Sequence, residues 1–446
     1  MDAQELKYRQ MTEPPVEKLI CKLAVPCIVS MLVTAFYNMA DTFFVGRLNS
    51  NPATAAVGVV FSMMAVIQAV GFFFGQGSGT FISRALGKKD TEEAAYMAAT
   101  SFYVSLAIGF LICVLGLIFL DPLAYLLGST KTILPYTKAY LRVILLGAPW
   151  ITSSFVLNNQ LRFQGGAFYA MIGITTGAVL NIILDPIMIF WMDLGVAGAG
   201  WATIVSQFVS FCLLFIGCQR GSNIRIRFKN IRLKWYYFYN IYRGGLPSLA
   251  RQILASFATI CLNNAARPHG DAVIAAMSVV QRITMFGAST MLGFGQGFQP
   301  VCGFNYGAKL YDRVKKGFWF CVKLSTGVLI GISVLGYIFA RDLIALFRND
   351  PAVIACGAAA LRYQCLSFPF HGWIVMSNMM EQSMGRTIPA TFLSIARQGM
   401  FFIPLVLILS STLGVLGIQM TQACADALTF LFAVPIHIHV MKTMEK

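Results

Sequence analysis

The chain has 446 residues, of which 57% are hydrophobic and only 12% charged, with a mean hydropathy of +0.69. Soluble domains carry about twice that share of charge, so a soluble enzyme, a disordered chain and a fibrous protein are all excluded. The 34 Lys and Arg exceed the 18 Asp and Glu to give a net charge of +16. These basic residues stand between apolar runs, where they orient membrane proteins, so no nucleic-acid partner is implied.

Residues 1–22 hold Lys7, Arg9, Lys18 and Lys22 among acidic residues and Pro14-Pro15. They lack the form of a cleavable signal peptide and read as a cytoplasmic tail. Twelve apolar segments follow, near 23–46, 54–83, 94–120, 135–159, 166–191 and 196–218, then 242–266, 272–300, 314–340, 354–378, 388–411 and 415–440. A crossing needs about 20 residues, and the longer segments imply tilt. The fold class expected is an all-α polytopic membrane protein of twelve transmembrane helices. Residues 219–241 form a linker carrying Arg220, Arg225, Arg227, Lys229, Arg232 and Lys234 before Trp235, Tyr236 and Tyr237, and residues 441–446 form a second tail.

Orientation follows from counting. With the N-terminus inside, cytoplasmic segments hold 23 of the 34 basic residues, outer loops and span ends hold eight, and Arg251, Arg282 and Arg397 lie within spans. That asymmetry predicts cytoplasmic termini in a multi-pass plasma-membrane protein. The eleven cysteines include no CxxC, and the four histidines share no helix face. They predict neither a disulfide framework nor a metal site built on them.

An internal repeat divides the chain. Phe74-Gly75-Gln76-Gly77 recurs as Phe294-Gly295-Gln296-Gly297, at a shift of 220. The same shift pairs Gly87 with Gly307, Leu141-Arg142 with Leu361-Arg362, Pro149 with Pro369, Asn158 with Asn378 and Gly165 with Gly385. The chain is therefore expected to form two six-span lobes, 23–218 and 242–440, with the same orientation because six is even. A parallel repeat of this kind is a transporter symmetry, with the substrate path between the halves. No GxxxxGK[ST] occurs, so no phosphate cradle for ATP is present and no cofactor is expected. An ion gradient would drive transport.

Three carboxylates lie well inside the spans: Asp41, Asp185 and Asp426. Tyr37 and Asn38 stand four and three residues before Asp41, and Asn181 four before Asp185, so each set shares a helix face. Thr203 lies about two turns inside the sixth span, at similar depth. Two neighbouring carboxylates cannot both ionise cheaply, so one holds a proton or they share a cation. Oxygen ligands suit a proton or a hard cation; Asp41, Asn181, Asp185 and Thr203 are the candidate Na+ ligands. Asp426 with Arg397 reads as a structural ion pair. Asp41 and Asp185 have Cys261 and Leu405 at the repeat positions, which places ion coupling in the N-terminal half. Asn38, Asn158, Met291, Gln296 and Asn378 are candidates for a substrate cavity. Pro26, below Asp41, offers a point where the first span can bend.

The run Pro26…Tyr37-Asn38-Met39-Ala40-Asp41-Thr42-Phe43-Phe44-Val45-Gly46 resembles the first-span signature of MATE (multidrug and toxic compound extrusion) transporters. Leu161-Arg162-Phe163-Gln164-Gly165 and Asn181-Ile182-Ile183-Leu184-Asp185-Pro186 resemble their fourth- and fifth-span motifs. The resemblance, to a DinF-like or MepA-like multidrug-efflux branch, implies a V-shaped pair of six-helix lobes. It also implies efflux of small organic cations in exchange for H+ or Na+. The DinF-type cation site, carried over, falls on Asp41, Asn181, Asp185 and Thr203, with Tyr37 and Asn158 nearby. The acidic seventh- and tenth-span residues of NorM-type members have no counterpart before Glu381. The short ends look prokaryotic, so a bacterial inner-membrane protein is expected; separately, a monomer is expected. The alternative is a flippase for a lipid-linked saccharide; an enzyme is not expected, since no nucleophile or metal constellation appears.

Overall fold

The structure, a computed structural model, describes residues 3–47 and 51–444. Among these residues no strand occurs, and twelve helices are long and apolar enough to cross a membrane. Without water in a bilayer core, backbone groups must be paired within each segment, which makes helices the natural form for such apolar runs. In chain order the first half consists of α1 (Ala3–Thr12), α2 (Val16–Gly46), α3 (Asn51–Gly87), α4 (Thr91–Ile118), the short α5 (Leu120–Leu126), α6 (Leu134–Phe163), α7 (Ala167–Pro186) and α8 (Gly195–Gln219). The second half consists of α9 (Trp235–Ala266), α10 (Asp271–Gly307), α11 (Tyr311–Ile338), the short α12 (Ala340–Phe347), α13 (Pro351–Met384), α14 (Thr387–Ile395), α15 (Phe402–Leu413) and α16 (Val415–Lys442). A π-helical turn, Ala396–Phe401, joins α14 to α15, and another, Ile187–Trp191, ends α7.

The helices follow the apolar segments except at the end that carries the linker. There α2 begins at Val16, α9 begins at Trp235, and α10 and α13 run on to Gly307 and Met384. Hydropathy marks where a helix meets lipid, whereas backbone bonding continues past that point in water. For the same reason part of the expected N-terminal tail is helical, and the irregular linker shrinks to about 220–234.

The repeat governs the packing. In the first half α6 is the central helix, touching α3, α4 and α8, while α7 packs on α8; in the second, α13 touches α10, α11 and α16, while α15 packs on α16. The first span of each half also crosses to the other half: α2 packs on α10 and α9 on α3. The repeated glycines explain how. A Cβ on Gly77 would lie 2.3 Å from the Ile241 carbonyl oxygen, and one on Gly297 would lie 2.3 Å from the Ala24 Cα. Nearer the linker, Gly87 abuts the Phe304 carbonyl and Gly307 the Arg84 carbonyl, each at 2.2 Å from an added Cβ. Phe304 and Arg84 are themselves 220 apart, so α3 and α10 cross about a pseudo-twofold axis with small residues at the crossing.

The hydrophobic core shows where the halves separate. At the linker end one buried cluster runs through both halves, from Ile20, Ile82 and Leu86 to Phe298, Phe304 and Phe318. Toward the other end it divides into a cluster drawn from the first half alone, around Ile67, Ile144 and Ile189, and one from the second alone, around Val280, Ile344 and Ile418. The molecule is thus a V joined at the linker end. Helix α1 straps that junction. Lys7 Nζ donates to Asn223 Oδ1 at 2.7 Å, while Asn305 Nδ2 donates to the Met11 carbonyl at 3.1 Å and Arg313 Nη2 to the Pro14 carbonyl at 2.6 Å.

Candidate functional site

In the first half, α2 packs on α7 and α7 on α8, which brings the three sequence-separated polar sets together. Helical spacing stacks Asn181 over Asp185 on α7, and both are buried, as are Tyr37 and Asp41 on α2 and Thr203 on α8. With its amide turned to satisfy both neighbours, Asn181 donates to Asp185 Oδ2 at 3.3 Å and accepts from the Thr203 backbone N–H at 3.1 Å. Thr203 Oγ1 donates to the Ala199 carbonyl at 3.0 Å. Among the described residues, Asp41 Oδ1 and Asp185 Oδ1 are both buried without a hydrogen-bond partner. Buried polar atoms are seldom left so. Pro186 and the π-helical turn follow Asp185 directly; a π turn widens a helix and is common at functional sites.

A cavity of about 120 Å³ adjoins this cluster, with Tyr37, Asn38, Asn181 and Thr203 in its wall beside Phe61, Gln68 and Phe155. Tyr140 on α6 stands beside the cluster: it is fully buried, its ring packs against Gly200, one turn before Thr203 on α8, and its hydroxyl lies 3.9 Å from Met64 Sδ in the cavity wall. Sequence reasoning passed over it because a tyrosine near a span end reads as an interfacial anchor.

Of the expected cavity residues, Asn38 lines this space. Asn158 Nδ2 instead donates to the Ala170 carbonyl at 3.3 Å and Asn378 Nδ2 to the Ala390 carbonyl at 2.6 Å. These contacts, again related by 220, tie the central helix of each half to its neighbour. Met291 packs in the core shared by the halves, and Gln296 Nε2 lies 3.7 Å from Met31 Sδ at the α2–α10 crossing.

The second half has a different polar centre. Asp426 on α16 is buried; its Oδ1 accepts from Arg397 Nε at 2.8 Å and from Gln422 Nε2 at 2.9 Å, and its Oδ2 accepts from Ser367 Oγ at 3.1 Å. The ion pair gains a third member, His371, whose Nε2 is 2.8 Å from Asp426 Oδ2 and 3.0 Å from Arg397 Nη2. Arg397 sits in the π-helical turn between α14 and α15. A fourth buried carboxylate, Glu381, stands 3.5 Å from His437 Nδ1 near the linker end of α13 and α16. Its place at the end of an apolar run gave no sign of burial, because the helix continues beyond that run. Among the described residues no group of three or more His, Cys, Asp or Glu side chains is placed to hold a metal ion.

A family model described as MatE matches residues 26–187 and 247–435. The chain belongs to the MATE family of membrane transporters. The multidrug export protein MepA of Staphylococcus aureus (strain MRSA252) is 27% identical to this MATE protein over 441 residues, covering 98% of this chain and 96% of MepA. A crystal structure of MATE in complex with MaL6 matches with a TM-score of 0.92 at 26% identity, covering 98% of this chain and 99% of that one. An outward-facing multidrug resistance MATE transporter of the MOP superfamily matches with a TM-score of 0.91 at 26% identity, covering 98% of each chain. The twelve-span, two-lobe architecture is that of the MATE fold.

Proposed function

We propose that this MATE transporter is a secondary active antiporter of the plasma membrane, exporting small organic cations and drugs in exchange for H+ or Na+. Coupling takes place at Asp41 and Asp185. The observation carrying this reading is that both carboxylates are buried with an unpartnered oxygen beside a cavity that shares Asn181, Thr203 and Tyr37 with them. The Staphylococcus aureus relative, a multidrug export protein, supports organic compounds as the cargo.

Coupling follows from competition for charge. A unit charge about 5 Å from an organic cation contributes about 3 kcal/mol at an effective dielectric of 20. A proton or Na+ on Asp41 and Asp185 removes that attraction, so inorganic and organic cations exclude each other at one site. Asn181 and Thr203 add neutral oxygens that suit Na+ as well as they hydrogen-bond a protonated acid. Pro26 breaks the hydrogen-bond ladder of α2 below Asp41, leaving that helix free to bend as the site changes occupancy. Because α2 also packs on α10 across the seam, such bending reaches the second half. With both termini cytoplasmic and the chain working as a monomer, the joined linker end is closed to the cytoplasm and the V opens outward.

The test is drug-stimulated proton and sodium flux in proteoliposomes, comparing wild type with Asp41→Asn and Asp185→Asn. Each variant is expected to lose at least tenfold of the coupled flux. Normal coupling in both overturns the site assignment. If no organic cation moves but a lipid-linked saccharide does, the flippase reading replaces this one.

A further inference from the structure

The second half contains a cavity of about 180 Å³ beside Arg397 and His371. It is the repeat mate of the first-half cavity. Phe61, Met64, Gln68, Ile151, Gly177 and Ala178 line the first, and the residues 220 further on, Gln281, Thr284, Ala288, His371, Arg397 and Gln398, line the second. One fold has therefore built two pockets at equivalent places and lined them differently: the first is walled by neutral side chains, with the Asp41 and Asp185 cluster adjoining it, and the second carries Arg397 and His371 in its wall. Where the first half has Gly177 and Ser206, the second has Arg397 and Asp426. Where the first has Asp41 and Asp185, the second has Cys261 and Leu405.

The Arg397 guanidinium is only partly used. Its Nε is on Asp426 and its Nη2 is beside His371, while Nη1 has no hydrogen-bond partner among the described residues. Asp426 is fully buried behind it, whereas the Arg397 side chain keeps 24% exposure in the pocket wall. Nε and Nη2 are thus occupied, and Nη1 is the donor left for a ligand in the cavity that Arg397 lines. A guanidinium N–H of this kind makes a charge-assisted hydrogen bond to a carboxylate oxygen. Amide groups of Gln281, Gln364 and Gln398 share the wall and can donate to the same oxygens, and Phe368, Phe402 and Met285 supply an apolar surface suited to an aromatic ring.

We infer that this second-half pocket is a binding site for aromatic carboxylates, held by Arg397 through Nη1 with the flanking glutamine amides. The molecule then has a cation subsite in one half and a carboxylate subsite in the other, and its cargo includes amphipathic acids or zwitterions. The inference does not depend on the coupling assignment of Asp41 and Asp185.

The experiment is calorimetric titration of the purified full-length protein in detergent with benzoate, using benzyltrimethylammonium as the cationic probe of similar size. Wild type is expected to bind benzoate saturably, and Asp41→Asn/Asp185→Asn to bind it unchanged. The paired variant Arg397→Gln/Asp426→Asn, which avoids an orphaned buried charge, is expected to weaken benzoate at least tenfold without weakening the ammonium probe. Gln281→Leu/Gln398→Leu leaves the ion triad in place and is expected to weaken benzoate about threefold at unchanged melting temperature; it decides the matter if the paired variant fails to fold. Absence of saturable benzoate binding in wild type overturns the inference. So does benzoate binding that both variants leave unchanged, which would make the triad a structural element only.

Discussion

The two halves of this MATE transporter share a packing plan and differ in the chemistry of their polar centres. Their helices pack in the same order, their asparagines at 158 and 378 bond equivalent carbonyls, and their glycines cross the seam at equivalent points. Yet the first half sets two buried carboxylates with unpartnered oxygens beside its cavity, whereas the second sets a carboxylate satisfied by arginine, histidine, serine and glutamine. Duplication supplied a scaffold whose backbone and seam contacts have stayed symmetric. The pocket walls differ away from the glycine crossings of α3 and α10, which hold the halves together.

The largest effect that would break this contrast is the loss of coupled flux in Asp41→Asn or Asp185→Asn, set against near-normal flux when Cys261 or Leu405, the repeat positions, is changed to Asn. Equal losses on both sides would erase the asymmetry. Next in size is stability. Arg397→Leu alone leaves Asp426 buried without its cation and is expected to cost about 3–5 kcal/mol. Arg397→Gly with Asp426→Ser and His371→Ile, the first-half residues, is expected to cost far less, read by thermal unfolding in detergent. A smaller effect tests the symmetric part. Leucine at Gly87 or at Gly307 overfills the helix crossing and is expected to destabilise the joined linker end by about 1–3 kcal/mol. Spin labels on the two halves at that end should move apart similarly in the two variants.

The smallest prediction concerns α1. Lys7 is buried among uncharged partners, and burial lowers its value from the usual 10.5 to about 7. Between those values the docked helix holds fewer protons than the free one, so docking strengthens as pH rises across that window and is weakest below about pH 7. The protection of residues 3–12 against hydrogen exchange, relative to the intrinsic rate at each pH, should rise from pH 7 to pH 9. Lys7→Met should remove that dependence.

The twelve spans were legible because a segment that crosses lipid must be apolar over a fixed length. The repeat was legible because its seam glycines tolerate no side chain. Within the site, helical spacing alone paired Tyr37 with Asp41 and Asn181 with Asp185. It could not show that Tyr140 joins them, because that contact depends on how α6 faces α2, α7 and α8. Nor did it show that Asn158 and Asn378 bond backbone carbonyls, that His371 completes the Asp426 centre, or that Glu381 is buried.

Composition, periodicity and the 220-residue offset by themselves determined the membrane class, the number of spans and the duplication, since each reflects a local rule that every segment obeys alone. Only the tertiary structure decided which polar groups meet, which carboxylates are left unsatisfied, and that equivalent cavities in the two halves have differently charged walls. Those outcomes depend on the rotation of each helix about its axis and on neighbours far away in the chain. A linear pattern of residues does not record either.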